Sequence, residues 1–70
     1  MTIRIIEESN NKTKAEISFD YEQKPDMCMY LEKVMNKLGI ESSKWKLVKT
    51  SLFQHADWGE SIYVFSFEKR

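Results

Sequence analysis

A small α+β domain of ββαββ order, with one antiparallel four-stranded sheet and a single helix packed on one face, is expected from three stretches of this chain. Residues 14–21, KAEISFDY, alternate throughout: Ala15, Ile17, Phe19 and Tyr21 fall on one side, and Lys14, Glu16, Ser18 and Asp20 on the other. That is the period of a half-buried strand. From Met27 onward, Tyr30, Leu31, Val34 and Leu38 recur at spacings of three and four, which places them in one stripe along a helix. Trp45 to Phe53 and Ser61 to Glu68 are rich in aromatic and β-branched residues, which suit a pleated surface, and they flank HADWGE as a hairpin tip.

The remaining elements follow in order. Thr2 to Glu7 is an isoleucine-rich strand, and the polar ESNNKT after it carries asparagines that tolerate left-handed turn geometry, so the first two strands form a hairpin. Lys24-Pro25-Asp26 opens the helix, because proline is preorganised for a first helical turn and an early aspartate suits the positive end of the helix dipole. Leu38-Gly39-Ile40 closes it, with Gly39 in the left-handed position and Ile40 folding back on the last turn. Glu41-Ser42-Ser43 then links the helix to the second hairpin.

Seventy residues are expected to make one domain, residues 1–70, with a core too small to enclose a deep cleft. Eleven basic and eleven acidic side chains cancel, so no global field draws the chain to nucleic acid or to an anionic membrane. One cysteine and one histidine rule out an intrachain disulfide or a zinc framework, and no cofactor or metal site is expected. The first ten residues do not fit a secretory leader, and no segment approaches the roughly 20 apolar residues of a membrane span. A lone Cys28 suits a reducing, cytoplasmic setting. Cys28 itself is expected to be a small, partly buried helix residue, with the neighbouring methionines filling space beside the stripe.

A helix covers only one side of a sheet, yet apolar residues occur on both sides of the second hairpin. Tyr63, Phe65 and Phe67 alternate with Ile62 and Val64, and simple alternation sets Val48 and Leu52 opposite Trp45 and Leu47, as it sets Ile6 opposite Ile3 and Ile5. Either a second apolar face meets a partner, or a bulge near Lys49 resets the faces, or these are singly exposed aliphatics of the ordinary kind.

The tip segment FQHADWGES offers no catalytic set. His55 and Asp57 resemble a base and its orienter, but Ser51 and Ser61 carry no nucleophile motif, so no catalytic residue is assigned and His55 is expected to be a solvated loop residue. Trp58 either packs back over the open edge of the core or stands out as a binding anchor. Lys44, Lys46 and Lys49 beside Trp45 suggest a basic strip with an aromatic platform, but alternation separates Trp45 from Lys44 and Lys46, and nearby acids dilute the charge.

MNKLG (Met35 to Gly39), KWKLV (Lys44 to Val48) and the closing YVFSFEKR (Tyr63 to Arg70) together resemble a small bacterial and phage family of unknown function. Its pattern is a helix ending in a leucine-glycine turn, a G-W-x-L-V strand, and a last strand ending in aromatic and basic residues. The resemblance spans residues 25–70, departs from the family at Lys44, where a glycine is usual, and implies the helix-then-hairpin order alone.

The function expected from the sequence is therefore protein binding rather than catalysis, by a homodimer or by a small regulator or inhibitor of a larger protein, in the style of phage-encoded accessory proteins. Trp58, Phe53, Val48, Leu52, Ile62 and Val64 would supply the anchors, and Asp57, His55 and Glu60 a polar rim. A nucleic-acid module using the open sheet face is the alternative, and an enzyme centred on His55 a second one.

Overall fold

Four strands and one helix follow the expected order: β1 (Thr2–Glu8), β2 (Lys12–Asp20), α1 (Met27–Leu38), β3 (Trp45–His55) and β4 (Glu60–Lys69), with a short 3-10 turn at Ala56–Trp58. The computed structural model describes residues 2–24 and 26–70. All strand pairs are antiparallel, in the spatial order β1-β2-β4-β3. Because β4 lies between β2 and β3 and runs against both, those two strands are mutually parallel. A tight turn cannot join parallel strands, so the chain crosses over through α1.

The crossover lays α1 against β2 and β4, and the core lies between them. Ala15, Ile17 and Phe19 of β2 and Tyr63, Phe65 and Phe67 of β4 meet Tyr30 and Val34 of the helix. Ile3, Leu31, Met35, Leu38, Ile40, Trp45 and Leu47 close the margins. Four of these aromatics form a continuous stack: Phe19 lies on Tyr30 with ring centroids 4.2 Å apart, Tyr63 lies 5.7 Å from Phe19, and Phe65 5.5 Å from Tyr63. Tyr30 keeps its hydroxyl satisfied by donating to Gln23 Oε1 at 3.2 Å. Burial pushes the Tyr63 phenol above its ordinary value of 10.0, and the Asp26 carboxylate and the Tyr30 phenol add to the rise, so it stays neutral.

The helix ends as expected. The Asp26 side chain accepts from the Met29 backbone N–H as N-cap, while Gly39 takes φ 69° at the other end and the Ile40 N–H donates to the Met35 carbonyl at 2.9 Å. The contribution expected of Pro25 lies outside the described residues. Several expectations are corrected. Tyr21 leaves the strand for a turn and is exposed, because β2 ends at Asp20, whose carboxylate accepts from the Glu22 N–H at 2.9 Å. Met27 and Met29 are about 40% exposed and Cys28 is exposed, because the helix buries Tyr30 and Val34, which lie beyond its first turn. The Asn10-Asn11 turn uses no left-handed backbone, since glycines alone have positive φ among the described residues. Ser9 instead ties that turn, accepting the Lys12 N–H at its Oγ.

Among the described residues two buried positions are polar, Thr13 and Ser61. Ser61 is fully buried, facing the core between Phe19 and Gln54 in the sheet, and its hydroxyl finds no partner among the described residues. An unpaired buried hydroxyl costs about 1–3 kcal/mol. Ser61→Ala is therefore expected to raise the thermal midpoint by a few degrees, as ~1 kcal/mol does in a domain of this size; a midpoint lowered by a similar amount would contradict the unpaired assignment.

Candidate protein-docking face

The sheet's second face has no helix over it, and its composition follows from the register. Two irregularities set that register, one between Ile5 and Glu7 in β1 and one between Leu47 and Lys49 in β3. Each inserts one residue, which reverses the alternation beyond it. In β3 the extra residue is Val48, and from there on Thr50, Leu52 and Gln54 face the helix side while Lys49, Ser51, Phe53 and His55 face outward. The expected placement of Leu52 on the outer face is thus overturned: it pairs with Tyr63 on the helix side, beyond the reach of α1, and is 40% exposed.

Across β1, β2, β4 and β3, the outer face forms rows. Asp20, Glu60 and His55 make the row nearest the β3–β4 tip; Thr2, Ser18, Ile62 and Phe53 the next; Arg4, Glu16, Val64 and Ser51 the third; Glu7, Lys14, Ser66 and Lys49 the fourth; and Lys12, Glu68 and Lys46 the last. The face is therefore divided twice. Its β4–β3 half is apolar at the centre, with Ile62 and Val64 half-buried and Phe53 50% exposed, while its β1–β2 half is polar and holds the Arg4–Glu16 ion pair. Along the strands, acids gather at the tip and lysines at the opposite end. Val48 sits in that lysine end, lining a shallow depression with Lys14, Lys49 and Ser66, and is 46% exposed.

The tip extends the apolar half. Trp58 is 73% exposed, so it does not close the core; its indole stacks on the His55 imidazole with centroids 4.5 Å apart and planes 25° apart. Gly59 turns the chain into β4 with φ 66°, and its carbonyl accepts the Tyr21 N–H at 2.9 Å. Asp57 is exposed beside this stack, and Glu60 is half-buried opposite His55 in the sheet. No hydrogen bond joins His55 to Asp57 among the described residues; the indole is the imidazole's stacking neighbour.

Trp58, Asp57, His55, Phe53, Glu60, Ile62, Val64 and Val48 are thus brought to one face or its tip, and Leu52 is not. The bulge near Lys49 that the sequence offered as one alternative is present, at Val48; the lysine end was not assembled from the sequence, because Lys12 and Lys14 join Lys46 and Lys49 only through the pairing of β2 with β4. The available signal was that strict alternation from Trp45 through Phe53 puts Lys49 and Ser51 on the core side, where a charged and a polar side chain do not belong, and the bulge turns both outward.

No helix among the described residues is long and apolar enough to cross a membrane, and none of their His, Cys, Asp and Glu side chains converge in a group of three or more that would hold a metal. No family model, no curated protein and no solved structure matches this chain.

Proposed function

We propose that this chain is a small protein-binding module, working by stoichiometric coverage of a surface through the outer face of its sheet, as a homo-oligomeric accessory protein or as a regulator of a larger one. The observation that carries the reading is the apolar half of that face, where Phe53, Ile62 and Val64 run into an exposed tryptophan at the tip. Large exposed aromatics beside half-buried aliphatics, ringed by charges, have the make-up of an interface centre and its rim. The single exposed thiol, Cys28, suits a reducing compartment.

Charge favours protein over nucleic acid as the ligand. Arg4, Lys12, Lys14, Lys46 and Lys49 on the outer face are matched one for one by Glu7, Glu16, Asp20, Glu60 and Glu68. A groove that tracks phosphates needs a surplus of cations. The stacking of His55 on Trp58 likewise fits an anchor better than a proton-transfer pair.

Tagged parent chain, Trp58→Ala and Phe53→Lys, each matched by circular dichroism, test this in the lysate of cells that express the protein. A protein retained by the parent and lost from both variants is the expected result, and retention should survive ~0.5 M salt, where exposed charges are screened. Identical retained sets for all three chains would overturn the reading.

A further inference from the structure

We propose that what covers the outer face is a second copy of this chain, packed face to face about a two-fold axis that lies between the two sheets and runs perpendicular to the strands. The inference rests on the reading of that face as a docking surface and adds the occupant and its orientation.

The two divisions of the face select the symmetry. A two-fold axis along the strands at the middle of the sheet would turn the apolar β4–β3 half onto the polar β1–β2 half, and wherever such an axis lies it sets the acidic tip on the acidic tip. An axis perpendicular to the strands, in the plane between the sheets, keeps β4–β3 over β4–β3 and reverses strand direction, so acids meet lysines. The same operation satisfies both patterns, and it is isologous, as a closed dimer requires.

Taking the axis across β4 between Ile62 and Val64 brings the rows into pairs. Ile62 of one copy then covers Val64 of the other, and Phe53 meets Ser51. Asp20 faces Lys14, and Glu60 lies between Lys14 and Lys49 of the other copy, within the turn of about −30° at which aligned sheets pack. The last row passes beyond the partner's first, which sets Lys46 over the Asp57 and Trp58 tip; a lysine over an exposed indole is a favourable cation–π arrangement. The acids of the tip row thus meet lysines, while Arg4 and Glu16 meet the neutral Thr2 and Ser18; Glu68, in the last row, comes over the tip and adds nothing to the pairing.

Edge pairing is the other way two such sheets join, and the fold discourages it. Both irregularities fall on the edge strands β1 and β3, and Lys46 and Lys49 stand on β3. Area permits the face: a molecule 37 × 19 × 17 Å offers a long side of the order of the ~800 Å² per partner that standard interfaces bury.

The test uses light scattering over a dilution series on the parent, Glu60→Lys and Lys49→Glu. The parent is expected to be a dimer, each variant alone to dissociate at least tenfold more readily, and an equimolar mixture of the two to recover most of the parent affinity, because the introduced lysine of one chain then faces the introduced glutamate of the other. A parent that stays monomeric to millimolar concentration overturns the proposal, leaving the wider docking reading to the capture experiment. Glu60→Lys dimerising as tightly as the parent, or a mixture no tighter than its components, would overturn the orientation. Should either reversal fail to fold, Glu60→Gln and Lys49→Gln each weaken the dimer by a smaller factor, and the absence of weakening in both contradicts the charge pairing.

Discussion

Phe65→Ala is expected to leave the chain unfolded at 37 °C. Phe65 is fully buried at the centre of β4, facing the helix, with Ala15 beside it on β2, Thr50 on β3 and the Tyr63 ring stacked 5.5 Å away. Truncating a buried phenylalanine costs about 3–5 kcal/mol, the lost transfer energy and the cavity together. A 70-residue domain has of the order of 3.5–10 kcal/mol in all, and small cores lie at the low end. Urea denaturation followed by far-ultraviolet circular dichroism checks this. A variant that keeps the parent's unfolding free energy to within ~1 kcal/mol would mean that the aromatic stack is not the core.

Much of that core was legible in the chain. The unbroken alternation of β2 and β4 fixed their faces, and the spacing from Tyr30 to Leu38 with Gly39 after it fixed the helix, because in each case one period is set by backbone geometry and nothing interrupts it. Met35 escaped the stripe and still packs at the core margin, since a flexible side chain reaches past its nominal angle. The outer face was half legible. Ile62 and Val64 declared themselves by alternation with Tyr63 and Phe65, but Leu52 and Phe53 exchanged sides through a bulge at Val48 that carries no glycine or asparagine to mark it. Strand order was out of reach, because pairing β2 with β4 is a non-local choice. The row of acids and the row of lysines exist only once that order is known.

Val64→Lys is expected to have the opposite profile to Phe65→Ala, although the two residues are neighbours in one strand. Val64 faces outward, paired with Glu16 and Ser51, and is half-buried, so a lysine there can run its stem along the sheet and keep its ammonium in water. The fold should persist, with unfolding energy within ~1 kcal/mol of the parent, as for most surface substitutions. The proposed dimer should be lost, since two ammonium groups would enter the dry centre beside the two-fold axis and face Ile62 of the other copy. Light scattering of the folded variant should give the mass of one chain at concentrations where the parent has twice that mass. A Val64→Lys chain that unfolds would place Val64 in the core, and a folded one that still doubles would remove the apolar centre from the interface.

Which exposed apolar surface is covered in solution is the central question, and two that compete among the described residues are the outer face with Phe53 and Trp58 and the first turn of α1 with Met27 and Met29. Hydroxyl-radical footprinting read by mass spectrometry, at a dilute and at a concentrated sample of the parent chain, separates them. Phe53 and Trp58 are expected to react readily when dilute and to be protected several-fold when concentrated, with Met27 and Met29 equally reactive in both. Protection of the methionines while Phe53 and Trp58 stay reactive would contradict the account and move the docking surface to the helix.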